Sequence, residues 1–483
     1  MAEERGRHLA GRFLRLFEPV IKILPEVRSP TKKVSFNERL FWTGAALAIY
    51  LIMSEVPLYG LGAGGMEELA YYRVIFASSR GTLMELGIGP IVTAGLILQM
   101  LASAKLIEVD FSNPEDRSLF TGVSKFFSVL LTAFQASAYI ISGLFGRLGF
   151  IQSIVIFLQL LLAGLIVMLL DEMIQKGWGI GSGISLFILA GVARQIMLCC
   201  FHVYIVGEDE FARPYGIISA LIQAAVSGGN FSYLILSEYG YPSIIGLLTT
   251  IGVFLFVIYA QGIRVELPIS HANYRGFRGR YPISLLYVSN LPVIFASALF
   301  GNIYMWSQLL WNNYKNSSWA PYISLLGNFA EEKGRIVPVG GLAYYVISPT
   351  RGFIDVITNP IRYSIYAIVF VAFCIVFSAM WLEVGGLDPK TIAKQLVDSG
   401  MQIPGFRRSE KPIEIVLKRY IPAVTILGGL IVGLLAVVAD FFGAFGTGTG
   451  ILLSVGIVYQ YYQQLMRERI EEMYPSIRRF IGR

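Results

Sequence analysis

IQSIVIFLQLLLAGLIVMLL, residues 151 to 170, runs for 20 positions without a charged side chain. An α-helix rises about 1.5 Å per residue and the hydrocarbon layer of a bilayer is ~30 Å thick, so this run predicts a membrane-crossing helix. Outward from it, the same reading applies to residues 41–58, 89–106, 121–145, 183–203, 242–262, 283–309, 361–382, 421–439 and 446–466. With 55% hydrophobic and 15% charged residues, the chain has too few charges to solvate a globular surface of 483 residues. The expected fold class is all-α, a polytopic membrane protein with ten transmembrane helices.

Ten crossings put both ends on one side, and the basic residues say which. That side collects 27 Lys and Arg in the terminal segments and alternate loops, against eight on the other. The positive-inside rule then places both termini in the cytoplasm. The net charge of +7 is mostly this asymmetry, so it does not require nucleic acid as a partner. Residues 1–40 hold nine of the cations, with Leu9, Phe13, Leu16, Phe17, Val20 and Leu24 near helical spacing, which predicts an amphipathic cytoplasmic arm broken at Pro19.

Domain organisation follows from these assignments. Residues 41–203 form a first half of five spans, 204–241 an external loop, 242–466 a second half of five, and 467–483 a cytoplasmic tail. An odd number of spans per half means that a duplicated half would insert in the opposite sense, an arrangement that places a functional site near the midplane. Three cysteines, Cys199, Cys200 and Cys374, have neither disulfide nor metal spacing, and His8, His202 and His271 are isolated. The sequence therefore implies no cofactor and no metal.

Two glycine-marked stretches depart from ordinary spans. LGIGPIVTAG, 86–95, follows a polar excursion (60–88) and places Pro90 where a missing amide hydrogen costs least, with Ile88 and Val92 four apart on one face. GIGSGISLFI, 179–188, repeats the device with Ile184 and Ile188, although small residues also suit close helix packing. GTGTGILL, 446–453, lacks the Lys-Ser/Thr ending of a phosphate loop.

These words, in order with LLDE (169–172), RVELP (264–268), YVSNLPVI (287–294), GLDPKTIAKQL (386–396), GFRRSEK (405–411) and KRYIP (418–422), resemble the SecY family in its archaeal and eukaryotic-like branch. The resemblance covers nearly the whole chain. It implies an hourglass channel of ten helices in two inverted five-helix halves, which moves secretory proteins across the plasma membrane and releases transmembrane segments sideways into lipid.

Carried over by motif, a pore ring comprises Ile88, Val92, Ile184, Ile188, Ile294 and Leu453. A plug comprises Leu69, Ala70, Tyr71, Tyr72, Arg73, Val74, Ile75, Phe76, Ala77, Ser78 and Ser79, bulkier and more basic than in familiar relatives. Thr93, Gln135 and Asn302 match a polar cluster at the lateral gate, with Gln135 standing where archaeal relatives often have Glu. In the loops 263–282 and 385–420, Arg264, Arg275, Arg278, Arg280, Arg407, Arg408 and Lys411 match the family's ribosome-docking positions. The resemblance further implies a heterotrimer with two small single-span subunits, SecE-like and Sec-beta-like, and signal peptides and nascent chains as cargo.

The alternative from the residues alone is a secondary transporter with inverted repeats. Ion-coupled carriers keep charges inside their spans, whereas Lys105, Lys125, Asp171, Glu172, Glu383 and Asp440 sit at span ends here and only Arg194 lies within one. No paired carboxylates, His/Cys cluster or Ser/His set names a reaction, so an enzyme is not expected.

Overall fold

The computed structural model describes residues 14–32, 34–60, 81–103, 106–107, 109, 114–141, 145, 148–203, 205–206, 213–227, 231–236, 241–271, 278–286, 291–314, 317–332, 335–349, 352–402 and 409–473. Ten long helices run through them: α1 (Phe36–Glu55), α2 (Gly89–Ser103), α3 (Pro114–Ile141), α4 (Phe150–Met173), α5 (Gly183–Phe201), α6 (Ile244–Gly262), α7 (Leu291–Tyr314), α8 (Pro360–Val384), α9 (Glu410–Phe441) and α10 (Gly448–Met473). Each carries one of the ten apolar runs. By length and composition, seven of them, α3 to α9, can cross a membrane. The other three are α2, which has only 15 residues, and α1 and α10, whose ends are polar.

Helix starts follow local chemistry more than hydropathy. α1 begins five residues before its apolar run, because Ser35 accepts the N–H of Glu38 (3.3 Å) while the Glu38 carboxylate accepts the N–H of Ser35 (3.1 Å), a reciprocal capping box. α7 begins at Leu291, so the run read as 283–309 is corrected at its start. Ile283 and Ser284 belong to a strand, and Ile283 is apolar because it is fully buried among Ile392, Ile413, Leu417 and Ile421, not because it meets lipid.

That strand is part of a small sheet. β1 (Arg264–His271) pairs antiparallel with β2 (Arg278–Ser284), from Arg264 opposite Ser284 to Ser270 opposite Arg278. β3 (Asn328–Glu332) and β4 (Arg335–Gly340) form a separate hairpin. β5 (Met401–Gln402) then adds to the free edge of β1, through Ser270 opposite Gln402 and His271 opposite Met401. One sheet of order β2-β1-β5 thus joins the two long basic loops.

The chain divides into two compact units. The first comprises residues 1–195, 301–343 and 457–483. In it α3 packs on α2 and α4, around a core of Leu58, Leu86, Ala136, Tyr139, Ile156, Leu160, Met305 and Leu309. A second cluster, Leu14, Leu98, Ile107 and Val123, holds the arm against α3. Before α1 the described part of the arm holds Leu14–Leu16 and the short helix Glu18–Ile21, which carries Pro19 in its first turn, where a proline is tolerated.

The second unit comprises residues 196–300 and 344–456, and its main contact is α8 on α9. A stripe of small residues lets the two helices close: a Cβ on Gly429 would lie 2.5 Å from the Ser378 hydroxyl, and one on Gly433 would lie 3.2 Å from the Cys374 Cβ. Pro422 inside α9 removes one backbone donor from its ladder. The two long connections also hold structure. Residues 204–241 carry the helix Ile217–Ser227, which buries Ile217, Ala220 and Ala224 against Cys199 and Cys200, and 310–359 carry three short helices besides the β3–β4 hairpin.

Candidate functional site

The six side chains of the expected ring all sit at helix starts. Ile88 immediately precedes α2 and is fully buried, and the N–H of Val92 donates to its carbonyl (3.0 Å), which fixes the two on one face. Gly87, at φ +53°, makes the tight entry that its lack of a Cβ allows. Ile184 and Ile188 occupy the first two turns of α5, Ile294 the first turn of α7, and Leu453 the second turn of α10. Ile88, Ile188 and Leu453 are buried and Val92, Ile184 and Ile294 half-buried, so none of the six is an exposed, lipid-type side chain.

The expected plug, Leu69 to Ser79, lies outside the described residues. The chain on either side of it is clasped: the N–H of Leu58 donates to Gly81 (2.8 Å) and that of Leu83 to Val56 (3.0 Å). Gln159 of α4 grips the same strand-like stretch, accepting from the N–H of Tyr59 (3.0 Å) and donating to its carbonyl (3.3 Å). The described residues on either side of 61–80 are therefore held together.

Within the first unit two of the three expected gate residues meet. Asn302, in the part of α7 that belongs to this unit, donates its amide to the Thr93 hydroxyl of α2 at 3.2 Å. Gln135 is buried on α3, 6% exposed, and is not hydrogen-bonded to either of them among the described residues. Apolar contacts continue along α7. The Tyr139 hydroxyl lies 3.4 Å from the Met305 sulfur, and the rings of Phe134 and Trp306 are 5.0 Å apart.

Arg194, the one charge deep in a span, pairs with Glu55 at the end of α1, 2.6 Å away. A second charged group was not legible in the sequence. Glu172, at the end of α4 and 7% exposed, is gripped by Lys125 of α3 and by Lys176 (2.8 Å), which also binds Glu26 of the arm. The hydrogen bond from Lys176 holds the Glu26 carboxyl below its ordinary range. Trp178 donates to the Arg28 carbonyl (2.8 Å), completing a tie between arm and bundle.

Of the expected docking residues, Arg275, Arg407 and Arg408 lie outside the described residues. Arg264 opens β1 and is exposed, Arg278 opens β2, and Arg280 is exposed and paired with Glu266 across the hairpin. Lys411 is exposed in the first turn of α9. β5 pairs with the end of β1, through Ser270 opposite Gln402 and His271 opposite Met401. Among the described residues no three His, Cys, Asp or Glu side chains converge to hold a metal.

Ten long helices, seven of them long and apolar enough to cross a membrane, with aliphatic side chains withdrawn from the surface at helix starts, fit a membrane channel. The SecY family model matches residues 82–462, and the model of the plug domain of Sec61p matches residues 49–81. The chain is 42% identical over 469 residues to the protein translocase subunit SecY of Pyrococcus horikoshii, covering 95% of this chain and 97% of the relative. A solved structure of a protein-conducting channel superimposes with a TM-score of 0.81 at 40% identity, over 95% of this chain and 98% of that one. Sec61 in the canine ribosome-channel complex of the endoplasmic reticulum gives 0.79 at 40% identity, with the same coverage. The chain belongs to the SecY family. It is a multi-pass membrane protein.

Proposed function

We propose that this chain is the pore-forming subunit of a Sec protein translocase, and that Ile88, Val92, Ile184, Ile188, Ile294 and Leu453 form the collar that seals its pore. The observation that carries the reading is that all six, drawn from four helices, are withdrawn from the lipid-exposed surface while sitting at helix starts. Aliphatic groups exclude hydrated ions yet offer a passing polypeptide no fixed hydrogen bond, so chains of any sequence slip through. Residues 69–79 are the plug, and the hydrogen bonds of 56–58 with 81–83 hold together the chain that flanks it.

Thr93, Gln135 and Asn302 are the lateral gate, held by the Thr93–Asn302 bond and by the packing of Met305 and Leu309 of α7 against α3 and α4. A leucine-rich segment gains roughly 0.3–0.6 kcal/mol per apolar residue on entering lipid, and a central charge costs about 2.5–3.5 kcal/mol, so partitioning through the gate sorts membrane from secreted segments. No bond is made or broken, and catalysis is not part of the function. Both termini face the cytoplasm, and Arg264, Arg275, Arg278, Arg280, Arg407, Arg408 and Lys411 dock ribosomal RNA. Two small subunits, SecE-like and Sec-beta-like, complete the complex.

Proteoliposomes containing the complex separate this reading from a solute carrier. They are expected to protect a secretory precursor from added protease and to accumulate no small solute. Concentrative uptake of a solute with no precursor import would overturn it.

A further inference from the structure

Two glycine-rich turns, 179–183 between α4 and α5 and 443–447 between α9 and α10, are fastened in the same way, each within its own unit. In the first, the Thr43 hydroxyl of α1 donates to Arg39 O of its own helix (2.7 Å) and accepts the N–H of Ile180 (2.9 Å). In the second, the Thr250 hydroxyl of α6 donates to Gly246 O (2.7 Å) and accepts the N–H of Phe445 (2.8 Å). Both threonines are 8% exposed.

The aspartates repeat the correspondence. Asp171, at the end of α4, accepts the N–H of Ile184 in the first turn of α5 (2.9 Å), and Gln175 donates to its other oxygen (2.8 Å). Asp440, at the end of α9, accepts the N–H of Gly448 at the start of α10 (2.7 Å), and Tyr366 donates to its other oxygen (3.0 Å). α1 and α6 each open a set of five helices, and α4–α5 and α9–α10 hold the same places in each set. A Thr on the first helix and an Asp on the fourth thus form one clamp, used twice.

The need for it is physical. The first N–H groups of a helix have no partner in their own helix, and at these turns buried Thr and Asp side chains meet them where packing keeps water out. Glycines bring no side-chain acceptor, so neighbouring helices supply one. The fit is close: a Cβ on Gly183 would lie 2.6 Å from the Asp171 Cα, and one on Gly448 would lie 2.1 Å from the Ala436 carbonyl oxygen. Each clamped turn leads within six residues to a collar side chain, Ile184 and Ile188 in one case and Leu453 in the other.

We infer that Thr43 with Asp171, and Thr250 with Asp440, are positioning residues that set the depth and direction of the collar side chains on α5 and α10. The inference rests on the proposed collar. The test is the resting ion conductance of the complex in planar bilayers, with the melting temperature in detergent measured alongside. Thr43→Val and Thr250→Val keep side-chain shape but remove the acceptor. Each is expected to raise resting conductance roughly fivefold or more, the scale of losing one net hydrogen bond from a two-state balance. Thr43→Ser and Thr250→Ser restore the seal.

Thr249→Val is the control, because among the described residues the Thr249 hydroxyl bonds its own helix alone, at Ile245 O (2.8 Å). It should leave conductance unchanged. Equal leaks from Thr249→Val and Thr250→Val would overturn the inference, as would tight Thr→Val channels when the collar variant Ile88→Ala/Ile188→Ala leaks. If that collar variant is itself tight, the collar reading falls, and the positioning role with it.

Discussion

The Asn302 amide donates to the Thr93 hydroxyl at 3.2 Å, joining α7 to α2 across 209 residues of sequence. Interhelical hydrogen bonds of this kind average about 0.6 kcal/mol in membrane proteins, close to thermal energy. Asn302→Leu and Thr93→Val should each favour the open seam about threefold, read as easier lipid entry of a marginally apolar test segment. Because both remove the same bond, the double variant should do no more than either single one. Additive effects would mean that the pair does not act as a unit.

Glu172 is the hub of a charge cluster whose lysines, Lys125 and Lys176, keep 17% and 24% of their side-chain exposure. Removing one partner of a buried ion pair costs about 3–5 kcal/mol, and the partial exposure of the lysines puts Glu172→Ala near or below the low end. Thermal melting of the purified complex should fall accordingly. Glu26→Ala, whose carboxylate is 67% exposed, should cost less than about 1 kcal/mol.

Gly448→Ala places a methyl 2.1 Å from the Ala436 carbonyl oxygen, which is backbone and cannot swing aside. Folded protein recovered from membranes should drop sharply. Gly252→Ala on α6 meets nothing within 4 Å, and by relieving the helical cost of glycine it should be neutral or stabilising by up to about 1 kcal/mol.

Arg264 and Arg280 stand exposed on β1 and β2. If this sheet meets phosphates, Arg264→Ala should weaken ribosome binding and flatten the plot of log affinity against log salt by roughly 0.7–0.9 for each phosphate no longer neutralised. A lower affinity with an unchanged slope would point to a folding defect in the hairpin.

Hydropathy made the ten helices legible, since runs such as 151–170 have no soluble alternative. It misplaced the start of α7, because a buried strand residue such as Ile283 looks the same as a lipid-facing one. The sheet itself was hidden: β1 is interrupted by Pro268 and contains Arg264, Glu266 and His271, and β5 is only two residues long. Short motifs supplied the proposed site residues, but not the partners that the structure gives them. The Arg194–Glu55 pair, the Glu172 cluster and the two Thr–Asp clamps join residues many turns apart, and no local pattern announces them.

The claim on which the rest depends is that six aliphatic side chains line the path of the cargo. A photo-crosslinking amino acid at Ile88, Val92, Ile184, Ile188, Ile294 or Leu453, each tested singly with a stalled secretory nascent chain, measures it directly. Ile251 and Leu434, 49% and 46% exposed on α6 and α9, serve as lipid-facing comparisons. All six collar positions should crosslink to the nascent chain and the two comparison positions to lipid alone. Nascent-chain adducts at Ile251 and Leu434 with none at the collar would contradict the account.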